Sequence, residues 1–345
     1  MKQHLAKLVE GASLTTPEAQ NLFDLIMTGQ SEPAQIGAAL ALMQMRGPTV
    51  EEITAGATVM RKHLVPVVVP EGLTIIDTCG TGGTHSTFFN ISTSAAIVAA
   101  AAGRPHGLAV AKHGNKSVTS ASGSANVLSE LGVQVPVDGD RLTRCLNEIG
   151  LCFCFAPAHH PAMKHAGPVR AQLAFRTIFN LLGPLTNPAG AKRQLIGVPD
   201  TRLAKLIASV LKRLDTVEAM VVTTTLPGGK TLGEMTNCAP VTIEHLRAGR
   251  IDQTQLDAND IGLPFGMPES VSVESPAQSA AIIHQVLDGD HGPARDIVLL
   301  NTAAALRVGG VALDWSDGLT LAAEAIDSGA AKKALDTLVK LTAGD

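Results

Sequence analysis

Tyrosine is absent from the 345 residues, tryptophan occurs once, and aromatic side chains make up only 3% of the chain. So few rings cannot build a platform on which single-stranded bases stack. Positive charge is not in surplus either: 27 Lys and Arg face 31 Asp and Glu, for a formal net charge of −4. That balance argues against a dedicated nucleic-acid binder, whose affinity rests on clustered cations. The 5 cysteines are an odd number scattered between Cys79 and Cys238, which is no disulfide framework and fits a reducing compartment. The most apolar window, Ile91 to Ala102, is too short to span a bilayer and is diluted by Ser and Thr. The opening MKQHLAKLVEGAS holds no signal-peptide core. A cytoplasmic protein with neither nucleic acid nor membrane among its partners is the expectation.

What the chain does have is 45% hydrophobic residues and 33 glycines, many beside alanine runs, so helices pack closely and backbone approaches something. Helix starts are marked at Thr15 with Pro17 and Glu18, at Ser31 with Pro33, and at Thr49 with Glu52, each followed by an apolar face at helical spacing. These short, tightly punctuated helices predict an all-α N-terminal subdomain over 1–65. From 66 to 345 the pattern becomes α/β. Strands are predicted at Val67–Val69, Thr74–Asp77, Leu108–Ala111, Leu151–Phe155, Gln194–Val198 and Ala219–Thr224, with helices between most of them and a helical tail. Such alternation implies a mostly parallel central sheet flanked by helices. The Pro-rich, basic stretch 159–187 is expected to cross back and complete the helical subdomain.

Four segments carry chemistry. Asp77-Thr78-Cys79-Gly80-Thr81-Gly82-Gly83-Thr84 ends a predicted strand, where loops of a parallel sheet hold ligands, and its glycines free N–H groups to face an anion. Asn90-Ile91-Ser92-Thr93 then opens an alanine-rich helix, a ready phosphate site; a plain turn and helix cap is the alternative. Neither G-x-G-x-x-G nor a Walker loop is completed here. The second segment, Lys112-His113-Gly114-Asn115-Lys116-Ser117-Val118-Thr119-Ser120 with Ser124, joins ammonium groups to hydroxyls in a way that suits a pyrophosphate and a sugar. Third is the run from His159 to Asn187, in which the planar fork of Arg170 matches a carboxylate. Cys152 and Cys154 alternate with Phe153 and Phe155 as in a buried strand, which disfavours zinc at that cluster. Fourth is Gly233-Glu234: a lone Glu234 is usually a surface charge and gains interest only as a ligand for a magnesium ion carrying pyrophosphate.

Together these segments resemble the anthranilate phosphoribosyltransferases over nearly the whole chain. Gly80–Gly83 match the family's Gly-Thr-Gly-Gly-Asp, Asn90–Thr93 its Asn-(Ile/Val)-Ser-Thr, and Lys112–Ser120 its Lys-His-Gly-Asn-Arg-x-x-Ser-Ser. The resemblance implies a small helical domain on a larger α/β domain, in the class shared with pyrimidine nucleoside phosphorylases, and a homodimer joined through the helical part. It implies transfer of the 5-phosphoribosyl group from phosphoribosyl pyrophosphate (PRPP) to the amine of anthranilate in tryptophan biosynthesis. It places Gly80, Asn115 and Arg170 at anthranilate, and Gly80, Gly82, Gly83, Thr84, Asn90–Thr93, Lys112–Ser120 and Ser124 at PRPP. Ser92 and Glu234 would serve Mg2+, and no general acid or base is assigned.

Three departures bear on that reading. Thr84 stands where the family has Asp, Phe88 where it has a phosphate-contacting Thr, and Gly233 where it has the Asp of an Asp-Glu magnesium pair. The link from Ile91 to Lys112 is also about four residues longer than the family pattern, around Gly103–Gly107. A weaker magnesium site and slower turnover are expected. The alternatives are a related transferase or nucleoside phosphorylase with another acceptor, or a non-catalytic paralogue that binds a phosphorylated metabolite or a protein partner.

Overall fold

The computed structural model describes residues 1–83, 88–116 and 122–343. The chain opens with α1 (Lys2–Val9), α2 (Thr16–Met27), α3 (Pro33–Arg46) and α4 (Val50–Lys62). Local chemistry starts these helices. Thr15 N donates to Glu18 Oε2 at 2.8 Å, and Thr49 Oγ1 accepts from Glu52 N at 3.3 Å while Thr49 N donates to Glu52 Oε2 at 3.0 Å. Each is a capping box in which two otherwise unpaired donors are satisfied reciprocally. The third start lies one residue later than expected, with Glu32 rather than Ser31 at the N-cap of α3.

The α/β part runs β1 (Thr74–Asp77), α5 (Ile91–Gly103), β2 (Leu108–Gly114), α6 (Ser124–Glu130), α7 (Gly139–Ile149) and β3 (Leu151–Phe155). The short helices α8 (Ala156–His159), α9 (Gly167–Leu173) and α10 (Phe179–Leu182) follow, with α9 lying against α3 and α10 against α4. Next come β4 (Arg193–Gly197), α11 (Thr201–Arg213), β5 (Glu218–Thr225), β6 (Thr231–Leu232), β7 (Val241–Arg247) and β8 (Arg250–Leu256). The chain closes with α12 (Pro276–Leu287), α13 (Pro293–Gly309), α14 (Trp315–Asp327) and α15 (Ala330–Thr342).

These strands form one sheet in the order β3-β2-β1-β4-β5-β7-β8, with β6 paired to β5. β1 to β5 are parallel, and β6, β7 and β8 extend the sheet antiparallel. Alternate residues of β5 face opposite layers. Met220 and Val222 join a core with α5, α13 and β2, while Ala219 and Val221 join a second core with α2, α4 and α11. The helical bundle is thereby packed onto one face of the sheet.

Two expectations about strands fail for physical reasons. Val67–Val69 is not a strand: Pro66 and Pro70 flank it, and proline cannot sustain a ladder. The linker is instead tied by Val65 N to His159 O at 2.8 Å and Val67 N to Pro188 O at 3.0 Å. The β7–β8 pair was not expected. Its outer strand, RIDQTQL, is mostly exposed and polar, as suits an edge, and so lacks the apolar run that marks the central strands. No helix among the described residues is long and apolar enough to cross a membrane.

The site lies at the carboxyl ends of β1, β2 and β4, and glycine lets the backbones meet there. The Gly197 carbonyl accepts from Thr81 N at 2.9 Å. A Cβ at Gly80 would stand 2.7 Å from that same carbonyl oxygen, and one at Gly197 would overlap the carbonyl of Gly233. Gly197→Ala is therefore expected to cost about 1–3 kcal/mol through overpacking. Gly139→Ala, where a Cβ would meet nothing within 4 Å, should be neutral. Urea midpoints of the two variants check the contrast.

Candidate active site

Asp77 is the last residue of β1 and is wholly buried. Its Oδ1 accepts from Cys79 N at 3.0 Å and from His113 N at 3.1 Å; its Oδ2 accepts from Asn187 Nδ2 at 2.8 Å. Asn187 Nδ2 also donates to Ala111 O at 2.7 Å. One carboxylate thus joins the glycine loop after β1, the end of β2, and the segment that returns from the helical bundle. Burial pushes the carboxyl up to about 6, against the pull of Lys112, Asn187 and the two backbone donors.

Two loops converge above it. Gly82 and Gly83 take positive φ (61° and 82°), a conformation that favours glycine. The Arg176 guanidinium occupies the space where a Cβ on Gly83 would stand, and its Nη2 donates to Thr81 O at 3.4 Å. Thr78 Oγ1 donates to the Ser92 carbonyl at 3.0 Å, fixing the loop to the first turn of α5. Lys112, only 3% exposed, reaches across from β2: its Nζ donates to Thr78 O at 3.3 Å, Thr78 Oγ1 at 3.2 Å and Ser92 Oγ at 3.3 Å. From the other side, Asn90 Nδ2 donates to Ser122 O at 3.2 Å, just past the second loop. An ammonium, a guanidinium and a helix N-terminus stand together around a glycine turn, an arrangement suited to a polyanion.

The other residues expected at the site are placed as follows. Ile91 is buried in the apolar core, which leaves only its backbone for a ligand, and the Thr93 hydroxyl is buried with no partner among the described residues. Asn115 and Lys116 are exposed, and Asn115 Oδ1 accepts from Lys116 N at 2.7 Å. Gly114 admits Phe153 and Ser124 close to the backbone. Thr84, Ser117, Val118, Thr119 and Ser120 lie outside the described residues. Phe88 belongs to the apolar core and bridges to Ser272. The longer link after α5 is a 3-10 turn, Arg104–His106, closed by Gly107 in the left-handed region.

Arg170, on α9, lies over the Phe179 ring with its guanidinium carbon 5.4 Å from the centroid. It makes no ion pair among the described residues, and burial lowers its pKa. No hydrogen bond among the described residues joins it to Asn115 or Gly80. His113 Nδ1 hydrogen-bonds the Gly183 carbonyl at 3.0 Å, and the His160 ring lies 5.2 Å away, centroid to centroid. Arg176, Asn187 and His160 were not singled out as site residues from sequence. All three lay within the His159–Asn187 run marked from sequence, where Arg176 carried the same signal as Arg170, a cation in the segment expected to cross back, and Asn187 was given no role of its own.

The magnesium candidates can be tested against the donor set. Glu234 is half-buried; burial pushes its carboxyl up to about 7, opposed by the Lys112 ammonium and the neighbouring Ser92 hydroxyl. A carboxylate beside a hydroxyl is a hard-oxygen pair, enough for a magnesium ion whose remaining ligands are substrate phosphates and water. Gly233 adds no ligand atom, and a Cβ there would press on Gly197 C and Val198 N at 3.1 Å. Asp77, Cys79 and His113 also bring ligand atoms within 4.8 Å of one another. That group is unsuited to a cation: Asp77 already accepts three hydrogen bonds, burial keeps the Cys79 thiol protonated, and Lys112 lies close by.

Burial lowers the pKa of His113 to about 3 and that of His160 to about 4. Both rings are neutral in the folded protein at pH 5, whereas an unfolded chain binds protons there with a pKa near 6.5. Because the unfolded state takes up more protons, these two residues remove stability as the pH falls from about 6.5 towards 4. His160→Gln should flatten that slope by up to one proton between pH 6.5 and 4, measured by urea unfolding across the range. Parallel slopes for the two proteins would contradict the assignment.

Comparison with known proteins agrees with this geometry. The glycosyl transferase family helical bundle domain matches residues 2–64, and the glycosyl transferase family a/b domain matches residues 72–332. The chain is 46% identical over 343 residues to an anthranilate phosphoribosyltransferase of Parvibaculum lavamentivorans, covering 99% of this chain and 98% of the relative. A counterpart from Chloroflexus aurantiacus is 44% identical over 347 residues, covering 100% and 99%. The crystal structure of anthranilate phosphoribosyltransferase from Thermus thermophilus superposes with a TM-score of 0.89 at 33% identity over 99% of both chains. The enzyme from Saccharomyces cerevisiae in complex with PRPP and Mg gives 0.87 at 26% identity, covering 99% and 97%. By sequence over its full length and by fold, the chain belongs to the anthranilate phosphoribosyltransferase family of glycosyl transferases.

Proposed function

We propose that this chain transfers the 5-phosphoribosyl group from PRPP to the amine of anthranilate, releasing pyrophosphate, in tryptophan biosynthesis. The observation that carries the reading is the pair of cross-links between the two loops. Lys112 spans from β2 to Thr78 and Ser92, and Asn90 spans from the N-cap of α5 to Ser122, so the two loops are tied side by side at the carboxyl ends of β1 and β2.

In the reaction the bond from ribose C1 to the pyrophosphate oxygen breaks, a bond from C1 to the anthranilate nitrogen forms, and the amine gives up a proton to solvent. Charge develops on the leaving diphosphate while C1 becomes oxocarbenium-like. The N–H groups of Gly82, Gly83 and Ser92, which have no partner among the described residues, and the Lys112 ammonium face that charge without reorganising. Arg176, over Gly83, adds a second cation on the same side. Arg170 holds the anthranilate carboxylate, with Gly80 and Asn115 beside it, and this orients the neutral aryl amine towards C1. An aryl amine is nucleophilic without deprotonation, so no general base is needed. Ser92 and Glu234 would hold a magnesium ion, which supplies Lewis-acid stabilisation of the diphosphate when bound.

The same reading assigns Thr84 and Lys116 to Ser120, with Ser124, to the PRPP side. It divides the chain into a helical domain, 1–65 completed by part of 159–187, and an α/β domain, 66–345. It also takes the protein to be a cytoplasmic homodimer joined through the helical domain. Val9 on α1 and Met45 on α3 support the dimer, since they are 71% and 86% exposed on helices that pack against each other.

The test is loss of anthranilate fluorescence with purified protein, magnesium and PRPP, alongside release of pyrophosphate. Turnover of both supports the reading. Measurable ligand binding with no turnover, even after Thr84→Asp, would favour a non-catalytic binding protein. Arg170→Gln should raise the KM for anthranilate about 10–100-fold, the scale of a charged hydrogen bond of about 1.5–3 kcal/mol, and leave the KM for PRPP near wild type. Glu234→Gln should raise the half-saturating magnesium concentration by about tenfold or more, read from a magnesium titration of the initial rate.

A further inference from the structure

Asn90 stands at the N-cap of α5, yet its side chain does not cap the helix. Asparagine is among the best N-caps because its Oδ1 accepts from the second or third N–H of the helix. Here Oδ1 accepts instead from the Ser279 hydroxyl at 2.8 Å, while Asn90 N donates to that same hydroxyl oxygen at 2.9 Å. A serine hydroxyl has one proton to give and lone pairs to receive, so the two bonds are mutually consistent. They also settle the orientation of the carboxamide, with its oxygen towards Ser279 and its nitrogen towards Ser122 O. Ser279 is wholly buried on α12, distant in sequence from the glycine loop and from Lys112. Its helix has its own cap, since Ser275 Oγ accepts from Gln278 N at 3.2 Å, so Ser279 is not needed to start α12.

We infer that Ser279 is a positioning residue for the diphosphate of PRPP, acting through Asn90; this rests on the reading that the start of α5 holds PRPP. By taking Oδ1, Ser279 keeps the Asn90 side chain off the N–H of Ser92, the second residue of α5 and one of the donors that a capping asparagine takes. That N–H has no partner among the described residues and stays open to an anion. By aiming Nδ2 at Ser122, Ser279 also holds the far end of the second loop against the first. The helix forgoes its best cap, and the ligand takes the cap's place.

The experiment is Ser279→Ala, Asn90→Ala and the double variant in the full-length protein, with magnesium pyrophosphate binding followed by calorimetry and the KM values for PRPP and anthranilate measured separately. In Ser279→Ala, pyrophosphate affinity should fall and the KM for PRPP should rise about 3–10-fold, the scale of one neutral hydrogen bond. The KM for anthranilate should hold, and the melting temperature should be unchanged or higher because Asn90 is released to cap α5. In the Asn90→Ala background, Ser279→Ala should have no further effect on affinity. A lower melting temperature with unchanged pyrophosphate affinity, or an equal loss with and without Asn90, would overturn the inference. Pyrophosphate binding without turnover of anthranilate in the wild type would overturn the proposed reaction while leaving this test readable. No pyrophosphate binding in the wild type would overturn both.

Discussion

The buried carboxylate of Asp77 is the constraint on which the site depends. It sits where β1 ends and accepts from the backbone of the glycine loop, from the backbone of β2 and from Asn187. Each bond alone is ordinary. Together they fix the relative positions of three segments that are far apart in sequence, without spending any of the groups that face the cleft. The cost is an anion held out of water, which burial pushes towards protonation and which Lys112 and three donors hold ionised. Lys112, whose charge favours the Asp77 anion, itself reaches Thr78 and Ser92. The two loops are thus held on a scaffold in which the Asp77 carboxylate is fully hydrogen-bonded.

Glycine supplies the second requirement, close approach of backbones. Gly80, Gly197 and Gly233 meet where a side chain on any one would meet the main chain of another. Gly233 therefore has a packing role. A side chain there would press its Cβ on the Gly197 main chain, so glycine at 233 goes with the tight seam at the end of β4. In the proposed reaction Glu234 and Ser92 would be the side chains offered to magnesium among the described residues. A hard cation held by one carboxylate must draw more of its coordination from the diphosphate it accompanies.

Much of this was legible in the sequence, and what was not has an identifiable cause. The two loops are contiguous, rich in glycine and cations, and placed between strand and helix, so local pattern alone marks them. The central strands are buried on both faces and read as short apolar runs; Leu151–Phe155 was placed residue for residue. The polar edge strand β8 carries no such run, and Val67–Val69 carries one that its flanking prolines cancel. Asn187 and Ser279 matter only through partners on distant segments, and no periodicity points to a contact of that kind. Arg176 lay within a segment already marked as basic, but its place over Gly83 depends on how that segment folds back. Contiguous loop motifs were therefore easier to find than the single residues that tie them together.

The most direct measurement is calorimetric binding of PRPP with magnesium to Asp77→Asn, with circular dichroism as the check on folding. The substituted amide sets a donor against Asn187 Nδ2, whose own amide oxygen is already engaged by Ala189 N at 2.9 Å. A well-folded variant that has lost most of its affinity is the expected result, because the two loops no longer share one anchor. Wild-type affinity in that variant would contradict the view that Asp77 sets their geometry.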